Sequence, residues 1–263
     1  MPVDLQAESN KLSFLHSPDG VAYTILSHNW ADGEVLFRDL DRLETASSKL
    51  GWKKVDYMCR QTIRDGLEWT WIDTCCIDKS SSAELSEAIN SMFTWYHSAT
   101  ICHVYLGDFQ CTIATANLDN DSFRRCRWWH RGWTLQELFA PCAVSLWDQK
   151  WNYLGMLEDI AELAPEITHV DLDVLLGITL PADVCIARRL SWAASRKTTR
   201  LEDEAYALLG ILNINMPVIY GEGRGAFQRL QEIIMRKSSD LTILAWAGAL
   251  CSDAKYSRCS YRH

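Results

Sequence analysis

Three short segments of the sequence combine aromatic, carboxylate and hydroxyl side chains that suit the binding of a sugar or a nucleotide. The first is the tetrapeptide 27–30 (SHNW), the second pairs Asp73 with Asp78, and the third is the pentapeptide 133–137 (WTLQE). On a helix, residues 133 and 137 lie on one face, one turn apart. An indole ring beside the Glu137 carboxylate therefore predicts a site for a sugar or nucleotide substrate.

Each of these side chains also has a structural interpretation. Glu137 can be a solvated helix residue, and Asp73 can cap the turn after a strand by accepting backbone N–H bonds. His28 follows a predicted strand, where a hydrogen-bonded structural histidine is common, and no serine or cysteine nucleophile with an evident base accompanies it. No catalytic triad is predicted, and the remaining alternatives stay open at the level of the sequence.

An α/β fold can bring the three segments together. Short apolar runs that predict strands alternate with segments of helical spacing, in the order β-α-β-α-β-α-β. This alternation predicts a parallel sheet with helices on both faces and a ligand site at the carboxyl ends of the strands, after residues 27, 73 and 106. The predicted strands are 23–27, 69–73, 100–106 and 143–147, and the predicted helices lie near 47–66, 85–96 and 133–140.

After residue 150 the strand pattern ends and helical patterns follow. Amphipathic stretches are found near 152–163, 182–195, 201–212 and 224–238. The glycine-rich segment 220–225 (YGEGRG) lacks the spacing of a dinucleotide-binding loop and predicts a turn before a helix. The predicted organisation is a lead segment at 1–20, an α/β core at 21–150, a helical extension packed on that core at 151–247, and a tail at 248–263.

The composition argues against several classes of function. The formal net charge is −8 and basic residues form only short pairs, so nucleic acid is not a predicted partner. No apolar run approaches the ~18 residues that span a bilayer and no signal peptide is evident, which predicts a soluble, cytoplasmic protein. The ten cysteines include no C-x-x-C pair and no histidine at zinc spacing, which predicts free thiols and no metal site.

Three blocks of the sequence resemble the fungal heterokaryon-incompatibility (HET) domain family. In the family's order they are 23–30 (YTILSHNW), 71–79 (WIDTCCIDK) and 131–138 (RGWTLQEL). Two later segments are similar to HET domains found ahead of NACHT-type receptor modules, namely 199–210 (TRLEDEAYALLG) and 216–223 (MPVIYGEG). Ala31 stands where the family usually has glycine. The resemblance covers about residues 20–247 and implies a role in fungal non-self recognition that ends in programmed cell death.

A weaker resemblance to TIR domains concerns the mechanism. The order of 84–91 (ELSEAINS), the strand at 100–106 and 133–138 (WTLQEL) is similar to the order of segments in TIR domains. There, a W-C-L-x-E-L helix carries the glutamate that cleaves NAD⁺. The resemblance implies a TIR-like core at 21–150, Glu137 as the catalytic residue, and NAD⁺ as a substrate, with no bound cofactor.

The two resemblances together imply ligand contacts and partners. Substrate binding is assigned to Ser27, His28, Asn29, Trp30, Arg38, Asp73 and Trp133. Because TIR enzymes complete their pocket across neighbouring protomers, self-association into an active oligomer is implied. A NACHT or NLR-type receptor module, in cis or in trans, is the implied partner. The alternative is a non-enzymatic adaptor domain that oligomerises and recruits partners, since a fold does not by itself confer a reaction.

Overall fold

The chain is organised around one mixed sheet of seven strands. A computed structural model describes residues 3–6, 11–14, 20–112 and 118–244. The order across the sheet is β2-β1-β4-β3-β5-β6-β7, and the four central strands are parallel to one another. The outer pairings are antiparallel. The strands are β1 (Val3–Gln6), β2 (Lys11–Phe14), β3 (Tyr23–His28), β4 (Trp69–Ile72), β5 (Ile101–Leu106), β6 (Val144–Asp148) and β7 (Tyr153–Met156).

Helices connect and cover these strands. The longest are α2, α4 and α13, and the others have six residues or fewer. In chain order they are α1 (Leu43–Ser47), α2 (Trp52–Arg64), α3 (Asp73–Cys76), α4 (Ser82–Ser98), α5 (Asp121–Arg124), α6 (Arg127–His130), α7 (Thr134–Phe139), α8 (Ala164–Thr168), α9 (Leu172–Leu175), α10 (Ile186–Ser191), α11 (Asp203–Tyr206), α12 (Leu209–Leu212) and α13 (Gly225–Lys237).

Alternate side chains of β3 show that helices lie on both faces of the sheet. Successive residues of a strand point to opposite faces. On one face, the hydroxyl of Thr24 is 2.6 Å from that of Thr62 in α2. On the other, the hydroxyl of Tyr23 donates a hydrogen bond to the backbone oxygen of Trp95 in α4. The predicted α/β architecture, with four parallel strands covered on both sides, is confirmed.

The structure differs from the sequence prediction at the edges of the sheet. The segment near 152–163 was predicted as a helix, but it forms β7 and then a short 3-10 helix at Leu157–Ile160. A four-residue strand that contains Gly155 has a weak pattern of its own, and its pairing with β6 defines it. At the other edge, β1 and β2 lie within the predicted lead segment. The predicted tail at 248–263 lies outside the described residues.

Helices dominate the described part of the chain after β7. The predicted helix near 224–238 is confirmed as α13, whereas the stretch near 201–212 is split into α11 and α12. Asn90 of α4 fixes the segment that follows α12, because its amide both accepts from and donates to the backbone of Met216. The carboxylate of Glu202 accepts hydrogen bonds from the backbone N–H groups of Gly221 and Gly223, at 2.8 and 3.0 Å. The glycine-rich segment is therefore a turn before a helix, as predicted, and the Glu202 carboxylate holds it.

Candidate functional site

The carboxyl group of Glu137 is buried near the carboxyl end of β3. Its side chain lies in α7, and only 7% of the residue is exposed. Ser27 donates a hydrogen bond to Glu137 Oε2 and accepts one from Trp128 Nε1 at 2.7 Å. Ser27 and Trp128 are fully buried. The structure therefore excludes the alternative in which Glu137 is solvated, and it brings Ser27 and Glu137 together.

The surroundings of Glu137 weaken its acidity. Burial raises the pKa of Glu137 to about 7, because the charged carboxylate loses its hydration. The hydrogen bond from Ser27 opposes this increase, whereas the negative charge of Asp73 adds to it. The positive charge of Arg131 and the nearby Tyr96 hydroxyl also oppose the increase. At neutral pH, the neutral and ionised forms of Glu137 are therefore present in comparable amounts.

Asp73 lies where β4 ends and connects two of the predicted residues. Its Oδ1 is 2.9 Å from His28 Nε2, and its Oδ2 accepts a hydrogen bond from Trp30 Nε1 at 2.7 Å. Burial alone raises the pKa of Asp73. The effect of burial is outweighed by the hydrogen bond and charge of His28, the charge of Lys79 and the bond from Trp30. Together they hold the pKa of Asp73 well below its usual range. Asp73 is therefore an ionised acceptor that fixes the orientation of the imidazole and the indole.

Lys54 of α2 completes the surroundings of His28. Its ammonium group is 3.0 Å from His28 Nδ1, donates to the backbone oxygen of Asn29 at 3.1 Å, and forms an ion pair with Glu34. Both ring nitrogens of His28 thus have polar neighbours, Lys54 on one side and Asp73 on the other. The side-chain nitrogen of Asn29 is buried and has no hydrogen-bond partner among the described residues.

Trp133 and Arg38 occupy different positions from the cluster around Glu137. Trp133 immediately precedes α7 and bonds to Asp203. Burial raises the pKa of the Asp203 carboxyl, and the bond from Trp133 partly offsets that increase. The structure thus pairs Trp133 with Asp203, whereas Glu137 is paired with Ser27. Arg38 is exposed in a 3-10 helix, Phe37–Asp39, where its charge acts on the neighbouring Asp39.

A buried arginine lies behind α7. Arg196 is 5% exposed, and its Nη1 donates to the backbone oxygen of Arg131 at 2.9 Å and to the hydroxyl of Thr134 at 3.0 Å. Burial lowers the pKa of Arg196 to about 9, and the charge of Glu137 opposes that decrease. Arg196 therefore joins the first turn of α7 to the segment that follows α10 and places a positive charge near the Glu137 carboxyl.

The described residues contain no cluster of three or more His, Cys, Asp or Glu placed to hold a metal ion. None of the helices within the described ranges is long and apolar enough to cross a membrane.

Comparison with known proteins identifies the family. Residues 23–122 match the family described as heterokaryon incompatibility protein (HET). The vegetative incompatibility protein HET-E-1 of Podospora anserina is 43% identical over 218 residues, which cover 81% of this chain. The chain contains a HET domain. The aligned part is only 16% of the length of HET-E-1, and no solved structure matches the chain significantly.

The family match confirms the HET resemblance predicted from the three sequence blocks. The match to the family ends at residue 122, so Glu137 and its helix α7 lie beyond it. The geometry nevertheless joins the two parts, because Glu137 is bonded to Ser27, which lies within the matched range. The candidate site is therefore formed by both the matched residues and those that follow them.

Four side chains around the candidate site were not predicted from the sequence, namely Trp128, Lys54, Glu34 and Arg196. The register of α2 carried a signal, since Lys54 lies one turn before the fully buried Met58 and hence on the face toward the sheet. No comparable pattern marked Glu34 or Arg196.

Proposed function

We propose that this HET domain acts in fungal heterokaryon incompatibility and triggers programmed cell death by hydrolysing NAD⁺ at the bond to nicotinamide. The similarity to a vegetative incompatibility protein supports the biological role. A single observation supports the reaction: Glu137 is a buried carboxyl group with a pKa of about 7, bonded to Ser27 near the carboxyl end of a central parallel strand. Ligand sites in open α/β sheets lie at that end.

The reaction requires little from the protein beyond position and charge. The bond between ribose C1′ and the pyridinium nitrogen breaks, and its electron pair passes to nicotinamide, which leaves as a neutral molecule. The ribose that remains has oxocarbenium character, and an ionised Glu137 stabilises this positive charge. Water then adds at C1′ and releases one proton, so that the products are nicotinamide, ADP-ribose and a proton.

The other residues of the site would bind and orient the nucleotide. The Trp30 indole, fixed by its bond to Asp73, offers an aromatic surface for a base. Asp73 and the buried side-chain nitrogen of Asn29 are candidates for contacts with ribose hydroxyl groups. Ser27 holds the Glu137 carboxyl in place. NAD⁺ is the substrate in this scheme, and no bound cofactor is invoked.

Self-association and a receptor partner belong to the same proposal. Because Glu137 is only 7% exposed, the side chains that cover it have to move before a ribose can reach the carboxyl group. Contacts between protomers can supply the free energy for that movement by favouring the open form. A NACHT or NLR-type module, in cis or in trans, is the proposed partner that brings protomers together.

A second candidate function is a non-enzymatic adaptor that oligomerises and recruits partners. The observation that favours the adaptor is the network of buried hydrogen bonds around Ser27. Trp128 and Glu137 both bond to the Ser27 hydroxyl, as expected of a network that fixes α7 on the sheet. In this function Glu137 would be a structural residue.

The two functions differ in one direct measurement, the release of nicotinamide from NAD⁺ by the purified chain. If protomers complete the site, the initial rate should rise faster than linearly with protein concentration. Chromatographic quantification of nicotinamide and ADP-ribose over about a hundredfold range of concentration tests this. The same series is repeated with the chain clustered on a multivalent support, where an assembly-dependent enzyme is expected to be most active. No release under either condition would contradict the enzyme and favour the adaptor.

The rate of nicotinamide release should also depend on pH through Glu137. The ionised form stabilises the oxocarbenium, and burial raises the pKa of this carboxyl to about 7. The rate at saturating NAD⁺ is therefore expected to rise between about pH 5.5 and 8.5 with a midpoint near 7. Circular dichroism at each pH would establish that the chain stays folded. A rate that falls over this range would instead indicate that the neutral acid is the active form.

A further inference from the structure

Two positive side chains flank the ring of Trp30. The ammonium nitrogen of Lys79 is 3.5 Å from the centroid of the Trp30 ring, and the guanidinium carbon of Arg131 is 5.5 Å from it. The ring itself is 41% exposed, and its N–H is bonded to Asp73, which fixes the plane of the indole. Lys79, Trp30 and Arg131 therefore lie close together and are called here the cation cluster, in which the Trp30 ring is partly exposed to solvent.

In the part of the chain that the structure describes, neither positive charge of the cation cluster has a carboxylate in direct contact, although the charge of Asp73 acts on Lys79 from a greater distance. Within the described residues, no carboxylate oxygen lies within 4.0 Å of the Lys79 ammonium or the Arg131 guanidinium. The Lys79 nitrogen is also buried without a hydrogen-bond partner there. Lys54, on the other side of His28, is by contrast paired with Glu34. A buried ammonium without an acceptor is costly, and a bound anion would remove that cost.

We propose that the cation cluster of Lys79, Trp30 and Arg131 is a binding site for the phosphate groups of a nucleotide. Two positive groups without a carboxylate in direct contact suit an anion, and ammonium and guanidinium groups donate several N–H bonds to phosphate oxygens. Because Trp30 offers its ring at the same place, the site suits a phosphate attached to a planar base better than a free phosphate ion.

The position of Arg131 relates this site to Glu137. Arg131 acts electrostatically on both the Glu137 carboxyl and the Lys79 ammonium. The cluster thus lies within electrostatic reach of the carboxyl group that would act on the ribose. The choice of nucleotide rests on the proposed function, but the phosphate site does not. Arg38, to which the sequence analysis assigned a substrate contact, is not part of the cluster.

Calorimetric titration of the purified chain with ADP-ribose, pyrophosphate and orthophosphate tests the site without any turnover. Lys79→Met keeps the apolar stem of the side chain and removes its charge, and Arg131→Gln removes the second charge. Each is expected to weaken ADP-ribose and pyrophosphate binding by about tenfold or more. The matched controls Lys53→Met and Arg64→Gln remove the same charges from exposed positions of α2 and are expected to leave both affinities within about twofold.

The outcomes separate the site from its alternatives. If Lys79 only packs on Trp30, Lys79→Met keeps that packing and the affinities stay unchanged, which overturns the proposal. The same holds if the wild type binds neither pyrophosphate nor ADP-ribose. Binding of ADP-ribose that is tighter than that of pyrophosphate supports a nucleotide phosphate, whereas equal or tighter pyrophosphate binding overturns the nucleotide assignment.

The test also distinguishes failure of this site from failure of the proposed function. The wild type could release nicotinamide while Lys79→Met leaves both the KM and the pyrophosphate affinity unchanged. That result would refute the phosphate site and support the enzymatic function. Conversely, Lys79→Met could lose pyrophosphate binding although the wild type releases no nicotinamide under any condition. That result would support the phosphate site and refute the enzymatic function. Thermal unfolding of each variant establishes that it is folded.

Discussion

Glu137→Gln is expected to lower nicotinamide release from NAD⁺ by about 10²–10³-fold while leaving the chain folded. Glutamine has nearly the same shape and can still accept the hydrogen bond from Ser27. It cannot carry the negative charge that stabilises the oxocarbenium. The measurement is the initial rate at saturating NAD⁺, under the clustered or concentrated condition that gives the highest wild-type rate.

The same substitution is expected to stabilise the fold at alkaline pH. The folded pKa of Glu137 is raised to about 7, so the folded state binds this proton more tightly than the unfolded chain, and stability falls as pH rises from about 4.5 to 7. Glutamine has no such dependence. The difference in the free energy of unfolding between Glu137→Gln and wild type should therefore grow by about 2 kcal/mol in favour of the variant between pH 5 and 8.

Denaturant unfolding at the two pH values measures this difference, with Glu87→Gln as the control. Glu87 is exposed on α4, and its replacement should change neither the rate nor the pH dependence of stability. A buried group that destabilises the fold and is required for the reaction is typical of an active site. Unchanged nicotinamide release in Glu137→Gln would show that its charge has no part in the reaction.

The central fold could be predicted because its signals are local. The four parallel strands are short apolar runs bounded by turn residues, and α4 begins where Ser81 accepts a hydrogen bond from the backbone of Glu84. The edge strand β7 could not be predicted in the same way. It is defined by antiparallel pairing with β6, and the intervening turn is held by Asp148, whose carboxylate accepts bonds from Lys150 and Asn152. These partners lie outside β7, so the hydrophobic pattern of the strand itself does not reveal them.

Some residues of the candidate site could likewise be predicted from the sequence, and others could not. Ser27 and Asp73 could be placed from the sequence, since they lie at the carboxyl ends of adjacent parallel strands. The pairing of Ser27 with Glu137 joins residues 110 positions apart, and no spacing rule predicts it. The sequence placed Trp133 one turn before Glu137, and Trp133, which immediately precedes α7, does have helical backbone angles. Its bond with Asp203 was not predicted. Side-chain partners across elements depend on the packing of those elements, which short motifs do not specify.

The two acidic residues of the site have opposite pKa shifts for one physical reason, the balance between burial and partners. Asp73 has a histidine, an indole N–H and a nearby lysine, so its ionised form is favoured. Glu137 has a hydroxyl donor and a more distant guanidinium, so burial prevails. Pairs of carboxyl groups with opposite shifts are common where one must stay ionised and the other must act near neutral pH.

Asp73→Asn is expected to lower the free energy of unfolding by about 2–4 kcal/mol at pH 7. The carboxylate accepts from Trp30 and contacts His28, and asparagine keeps at most one of these interactions without a charge. Because the folded pKa of Asp73 lies below its usual value, its contribution is present above about pH 4 and is lost as pH falls through the folded pKa. Denaturant unfolding at neutral and acidic pH should therefore show two curves that converge in acid.

The substitution should also change the acidity of Glu137, because the negative charge of Asp73 contributes to the raised pKa of that carboxyl. Removing the charge favours ionisation of Glu137, so the midpoint of the pH–rate profile for nicotinamide release should move below 7. Asp32→Asn, at an exposed position, removes the same charge and should shift neither stability nor the midpoint. An unchanged midpoint in a folded Asp73→Asn variant would mean that the two carboxyl groups do not interact, and that the rate reports a group other than Glu137.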